Sequence, residues 1–314
     1  MSEKAEVNAT NKYNLKYIIR EKEEIPDEIS NDVFDRQRIM KNFDQSTIEQ
    51  QHVFVLGVGG IGSSIAMSLV RMGVDSIYLL DRDVIEASNL NRQILFGLSD
   101  VGKSKVKTAT QHLKEFHNLR TNIYDYHLDA VTNWSTVVEI AKKCTVIFNN
   151  IDYGAVFDYA VNSLCKSLNI IYVSGSTYAN SIEINLFSGQ LNDSCWACHN
   201  STHDSFKFNE NTLLDERQIL KMLLPDTIQS HESISFIPKD KSFSTRTVGS
   251  WIGVCVSGSC LIVNTWIQYL IQNNSSFHNW TQLNLSMYDG GYSTAGFPNE
   301  QNPQCLVCSN AKQM

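Results

Sequence analysis

An α/β fold, with a mostly parallel sheet flanked by helices, is what the sequence predicts, and three observations predict it. A short apolar strand, Val53 to Leu56, runs directly into GVGGIG and then into a helical pattern with Ile61, Ile65, Leu69 and Met72 on one face. Strand and helix patterns then alternate as far as Asn149, the order that builds a parallel sheet with crossover helices on its faces. Two C-x2-C pairs, CWAC at Cys195 and Cys198 and CLVC at Cys305 and Cys308, add a cross-link between the middle of the chain and its last residues.

In chain order, residues 1 to 50 are polar and irregular, and REKEEIPDEIS is a charged, solvated run broken at Pro26. The segment VFDRQRIMKNF, Val33 to Phe43, carries Arg36 and Arg38; read alone, these are surface arginines on a short amphipathic helix. Next comes the Rossmann-like turn, in which Gly57, Gly59 and Gly62 allow tight turning and close approach to a phosphate. The helix N-terminus behind them offers free N–H groups and a positive dipole end. A second strand, Ser76 to Leu80, ends at Asp81, at the spacing of about 20 residues where such units place a ribose-binding carboxylate. This much fits NAD, FAD and ATP users alike.

The helix over residues 103–117 turns Val106, Ala109, Leu113 and Phe116 inward, with Lys105 at its start. A strand (Asn122 to Tyr126), a helix (Ser135 to Lys142) and a strand (Thr145 to Asn149) follow, and Asp152 stands where the next helix begins, a natural N-cap. Trp251 to Ile271 is long enough to span a bilayer. It carries Asn264 and Gln268, lacks basic flanks and is spaced by Gly253, Ser257 and Gly258, so a buried core helix is expected.

Composition narrows the function classes. A 314-residue chain with 42% hydrophobic content has room for one large α/β domain or two modest ones and is not disordered throughout. A formal charge of −7 with no Lys/Arg stripe argues against a nucleic-acid partner. The N-terminus has neither a secretory nor a transit pattern, so a cytoplasmic setting is expected, with no membrane partner. In that setting the two cysteine pairs read as a four-thiolate zinc site, ahead of redox dithiols or disulfides. Cys144, Cys165, Cys255 and Cys260 read as small buried hydrophobes.

The run DRDVIEASNLNRQILF, followed by DVGKSK, carries Asn89, Arg92, Gln93 and Lys105, polar groups for which a dehydrogenase has no evident need. With GVGGIG, it resembles the signature of the ThiF/MoeB superfamily, the adenylating enzymes similar to the ubiquitin-activating enzyme core. The likeness runs from about Phe34 to the last cysteine pair and leans towards the microcin C and thiamine branches.

The resemblance implies an N-terminal extension over residues 1–45 and an adenylation domain over 46–314, with a mixed or antiparallel C-terminal sheet portion, a crossover loop at about 200–249 and the zinc clamp. It implies ATP held by Gly57, Gly59, Gly60, Gly62, Asp81, Asp83, Asn89, Arg92, Gln93 and Lys105, with Arg92 and Lys105 on the phosphates. It also implies Mg²⁺ on Asp152, and Arg36, with Arg38 as rival, reaching the phosphates of a partner subunit in a homodimer. The expected reaction is adenylation of a carboxylate on a peptide, in peptide-antibiotic tailoring, or on a small sulfur-carrier protein. Residues 200–249 contain no cysteine, which argues against a thioester intermediate. An NAD/FAD oxidoreductase and an inactive binding partner are the readings from other classes.

Overall fold

The computed structural model describes residues 32–117, 120–152, 155–178, 181–200, 250–271, 280–285, 292–297, 300–303 and 305–311. The run REKEEIPDEIS and the segment expected to be the crossover loop lie outside the described residues. The chain divides into two compact units, Met1–Phe43 and Asp44–Met314. In the first, a single turn of helix, α1 (Asp35–Arg38), follows Asp32, whose carboxylate accepts from the Phe34 N–H at 3.0 Å and pairs with the Arg38 Nε at 2.6 Å.

The second unit opens with α2 (Gln45–Glu49), capped by the Asp44 side chain on the Ser46 N–H. Then follow β1 (His52–Leu56), α3 (Gly60–Met72), β2 (Ser76–Leu80), α4 (Lys105–His112), β3 (Asn122–Tyr126), α5 (Trp134–Ala141), β4 (Val146–Asn149), α6 (Ala155–Leu168) and β5 (Ile171–Tyr178). The chain continues through β6 (Ser181–Phe187), α7 (Trp196–Asn200), α8 (Ile252–Ile271), β7 (Trp280–Leu285), β8 (Tyr292–Phe297) and α9 (Leu306–Ala311). The strands form one eight-stranded sheet in the order β3-β2-β1-β4-β5-β6-β7-β8. From β3 to β5 every pairing is parallel, and from β5 to β8 every pairing is antiparallel. The α/β class and the mostly parallel sheet with an antiparallel C-terminal portion are therefore as the sequence predicts.

The parallel strands are covered on both faces, which is why Val53 to Leu56 read as a continuous apolar run and are fully buried. Helix α3 buries Ile65, Ala66, Leu69 and Val70 and stops at Gly73, whose φ of 80° supplies the left-handed C-terminal residue. Some boundaries differ from the sequence reading. The helix at 103–117 is α-helical only to His112 and becomes a π turn over Leu113–His117. Helix α5 starts and ends one residue earlier than expected. Asp152 is not an N-cap, because α6 begins at Ala155.

Helix α8 is long and apolar enough to cross a membrane, and half of its most apolar stretch is buried in protein. It packs on α3, β5 and β6. The approach is close because the contact is built from glycines: a Cβ at Gly175 would sit 2.1 Å from Ile262 Cδ1, and one at Gly258 would sit 3.0 Å from Thr177 Cγ2. The Ser259 hydroxyl donates to the Ile61 carbonyl at 3.0 Å, and Trp266 meets Phe148 edge to face at 5.5 Å. The Ser259 bond ties the second turn of α8 to the N-terminus of α3.

Candidate active site

A cavity of about 350 Å³ lies at the C-terminal ends of β1, β2 and β4, where open parallel sheets bind ligands. Its floor is the glycine turn. Gly57 has φ 85°, its N–H donates to the Leu80 carbonyl at 2.8 Å, and a Cβ there would lie 2.9 Å from the Asn150 oxygen. A Cβ on Gly62 would lie 1.9 Å from the Gly57 oxygen, so the helix can start this close to the strand only without a side chain. Asp81 ties the turn to β2: one carboxylate oxygen accepts from the Val58 N–H at 2.7 Å and the other from the Asp83 N–H at 2.8 Å. Each oxygen keeps a lone pair for a ligand hydroxyl.

The segment after β2 delivers the cationic and amide groups. Residues 83–85 run beside 102–105: the Ile85 N–H donates to the Lys103 carbonyl, the Gly102 N–H to the Ile85 carbonyl, and the Lys105 N–H to the Asp83 carbonyl at 3.0 Å. Lys105 therefore arrives beside Asp83, buried, with its ammonium 2.8 Å from the Asp83 carboxylate. Between them, Asn89 closes a 3₁₀ turn: its Oδ1 accepts from the Glu86 N–H, and its carbonyl accepts from the N–H groups of Arg92 and Gln93. Arg92 lays its stem over Gly60 and donates from Nη1 to the Ser88 carbonyl and Asn91 Oδ1. Gln93 is buried on the wall, and its Oε1 has no partner among the described residues, as is true of Asn150 Oδ1.

Gly57, Gly59, Gly60, Gly62, Asp81, Asp83, Arg92, Gln93, Lys105 and Asp152 thus share one cavity, Asp152 as an exposed carboxylate just past β4. Asn89 is not among the residues that line the cavity; its Oδ1 shapes the turn that presents Arg92 and Gln93. Arg36 is exposed in the first unit, where Arg38 is paired with Asp32.

Several wall residues escaped the sequence reading. Arg82 pairs with Asp129, and Leu128, Ala130 and Val131 form an apolar side of the cavity beside them. Burial opposes ionisation of Asp129, but N–H donors from Thr132 and Val131 and the Arg82 guanidinium outweigh it and hold the carboxyl below its usual range. That loop was findable, since it follows the C-terminal end of β3. Thr177, Ser250 and Cys255 complete the opposite side, with Cys255 Sγ 3.0 Å from Ser250 Oγ. Only the tertiary placement of α8 brings Cys255 there.

Against α6, the first turns of α7 and α9 and the residues just before them bring the four cysteines together, Cys195 and Cys198 from one and Cys305 and Cys308 from the other, all free and with all sulfurs within 4.8 Å. The resolved separations are 3.9 Å for Cys195–Cys198, 3.7 Å for Cys195–Cys305, 3.5 Å for Cys198–Cys308 and 3.6 Å for Cys195–Cys308. A tetrahedron with metal–sulfur bonds of about 2.3 Å has edges of about 3.8 Å, so these thiols can hold a metal ion.

Fold and cavity define a nucleotide-binding α/β protein with a thiolate clamp that can take a metal. The chain belongs to the ThiF family, whose model matches residues 34–307. It is 26% identical over 217 residues to a probable molybdopterin-synthase adenylyltransferase of Porphyra purpurea, covering 68% of this chain and 55% of that protein. It is 32% identical over 135 residues to a probable adenylyltransferase/sulfurtransferase MoeZ of Mycobacterium tuberculosis, covering 43% of this chain and 33% of that one. The chain therefore spans about half, or less, of the length of these curated relatives. The crystal structure of Escherichia coli MccB with AMPCPP and MccA superposes with a TM-score of 0.67 at 20% identity, over 90% of this chain and 76% of that one. MccB with ATP gives 0.63 at 19%, over 90% and 75%. At these identities the superpositions establish a shared fold.

Proposed function

We propose that the chain is an ATP-dependent adenylyltransferase that activates a carboxylate on a peptide or small carrier protein. The observation that carries this reading is the joining of the glycine turn with Arg92, Gln93, Lys105 and Asp152 in one cavity. A carboxylate oxygen attacks the α-phosphorus of ATP, the bond to the bridging oxygen breaks, and pyrophosphate leaves with that oxygen's electron pair. The acceptor is already ionised at neutral pH, so no general base is required. Charge builds on the non-bridging and leaving oxygens, where fixed cations help most. Lys105 and Arg92 supply it by giving up Asp83 and the Ser88 carbonyl for phosphate oxygens. The lone pairs left on Asp81 and the Asp83 carboxylate freed by Lys105 take the ribose hydroxyls.

Asp152 fits a magnesium ion, since a hard cation needs one exposed carboxylate beside triphosphate oxygens; bound there, it would neutralise phosphate charge. The cysteine cluster fits a structural zinc ion. Arg36 is assigned to the phosphates of a partner subunit in a homodimer, and a cytoplasmic setting is the one that suits a four-thiolate metal site.

The favoured acceptor is a short ribosomal peptide, in antibiotic tailoring. Support comes from the likeness to MccB, solved with MccA, and from the absence of cysteine in residues 200–249. A sulfur-carrier protein is the second reading, favoured by the names of the curated relatives. Family membership and the cationic wall weigh against an oxidoreductase and against an inactive partner. The test is exchange of labelled pyrophosphate into ATP with each acceptor present. Exchange that requires a carboxylate acceptor supports adenylation and names the class; tight NAD binding without exchange overturns it.

A further inference from the structure

We propose that Asp158, which lies off the cavity wall, is a positioning residue that holds the rim formed by Asn150, Ile151 and Asp152. The consequence for catalysis rests on the adenylation reading, whereas the geometry does not. The rim is where β4 ends and the chain turns along the cavity, and all three residues line it. Helix α6 is described from Ala155, and at the start of the rim the Asn150 N–H donates to the Leu56 carbonyl at 2.8 Å. At Ile151 the rim is held by the side chain of Asn149, the last residue of β4 and almost fully buried.

The Asn149 amide is used at both ends. Its Oδ1 accepts from the Ile151 N–H at 3.4 Å, and its Nδ2 donates to Asp158 Oδ1 at 2.8 Å. The Tyr172 hydroxyl donates to the same Asp158 oxygen at 3.1 Å. Rotated by half a turn, the Asn149 amide would point its NH₂ at the Ile151 N–H, donor against donor, and its oxygen at the carboxylate, acceptor against acceptor. A fixed acceptor at Asp158 therefore decides which way Asn149 faces, and Asn149 decides where the rim N–H is held. Asp158 acts on the site through this bridge.

The strength of the bridge depends on charge. The titratable groups facing Asp158 are Tyr172 on β5, Glu183 on β6 and Asp152 on the rim. Burial first, then Glu183 and Asp152, push its carboxyl up to about 7, against the hydrogen bonds from Tyr172 and Asn149. As a carboxylate, Asp158 accepts charge-assisted bonds; as a neutral acid, it accepts weaker ones and adds a donor of its own. The rim is held more firmly above neutrality than below.

The test is amide hydrogen exchange of the peptide spanning residues 149–152 in the full chain without nucleotide, as protection factors from about pH 5.5 to about pH 8.5. Wild type should gain about fivefold in protection across neutrality, the difference between a neutral and a charge-assisted bond. Asp158→Asn should be flat over the same range. Tyr172→Phe, which removes one donor to the carboxylate, should move the midpoint to higher pH. A flat wild-type profile, a wild-type profile in Asp158→Asn or an unmoved midpoint in Tyr172→Phe would each overturn the assignment. Rates of pyrophosphate exchange should follow the same profile. A rim that responds as described in a protein that binds no ATP keeps this assignment and removes the adenylation reading.

Discussion

Replacing Gly62 by alanine tests how the cavity floor is built. The added Cβ would sit 1.9 Å from the Gly57 oxygen, about 1.5 Å short of ordinary contact, and 2.9 Å from the Gly57 carbon. Neither atom can retreat easily. The Gly57 N–H is bonded to Leu80, and the space beyond Gly57 is filled by the Asn150 backbone. The start of α3 must move instead, against the Ser259 bond that holds Ile61. Overpacking of this kind costs about 1–3 kcal/mol. Alanine returns about 1 kcal/mol through helix propensity. The net loss, up to about 2 kcal/mol, should lower Tm by up to a few degrees in a domain of this size. Nucleotide affinity should fall further, because a displaced helix N-terminus no longer faces the phosphates. Gly60→Ala is the contrast: its Cβ would meet Cys255 Sγ at 3.2 Å and the Arg92 stem at 3.3 Å, side-chain atoms that can yield. Thermal unfolding and titration with a non-hydrolysable ATP analogue read both effects. A Gly62→Ala protein with wild-type Tm and affinity would refute the description of the floor.

Three further outcomes are expected. Lys105→Ala should lower pyrophosphate exchange about 10²-fold while the melting transition persists, as for loss of one charge-stabilising group. Elemental analysis should find about one zinc per chain, and chelation or Cys305→Ser should lower Tm by freeing α9 from α7, because metal binding is linked to folding. Asp158 has a carboxyl raised to about 7, so the folded state binds a proton that the unfolded chain has released. Stability should therefore fall as pH rises from about 4 to about 7 and then level off. In Asp158→Asn, denaturant titrations across that window should lack this component, and the variant should be the more stable protein at pH above 7.

The parallel half of the sheet was legible because its signals are local. Val53 to Leu56 is an unbroken apolar run, Ser76 to Leu80 and Asn122 to Tyr126 match the observed strands residue for residue, and GVGGIG announces a turn whose glycines the backbone requires. The grouping of Arg92, Gln93 and Lys105 with the glycines was legible through motif spacing. The work of Asn89 was not, because the same side chain can bind a ligand or close a turn, and only coordinates show its Oδ1 on the Glu86 N–H. Asp152 was placed on a helix that starts three residues later, since a carboxylate ahead of a helical pattern looks the same whether it caps or stands free. Cys255 and Asp158 were invisible as site residues for another reason. Each matters through a contact with a distant element, Cys255 with Gly60 and Asp158 with Asn149 and Tyr172, and no periodicity encodes such pairs.

The most direct test of the account is a structure of the chain with ATP bound. Lys105 should be released from Asp83 and Arg92 from Ser88, both within hydrogen-bond distance of phosphate oxygens, with the triphosphate over Gly59 and Gly60. A bound nucleotide with Lys105 still paired to Asp83 and Arg92 still turned to the Ser88 carbonyl would contradict it.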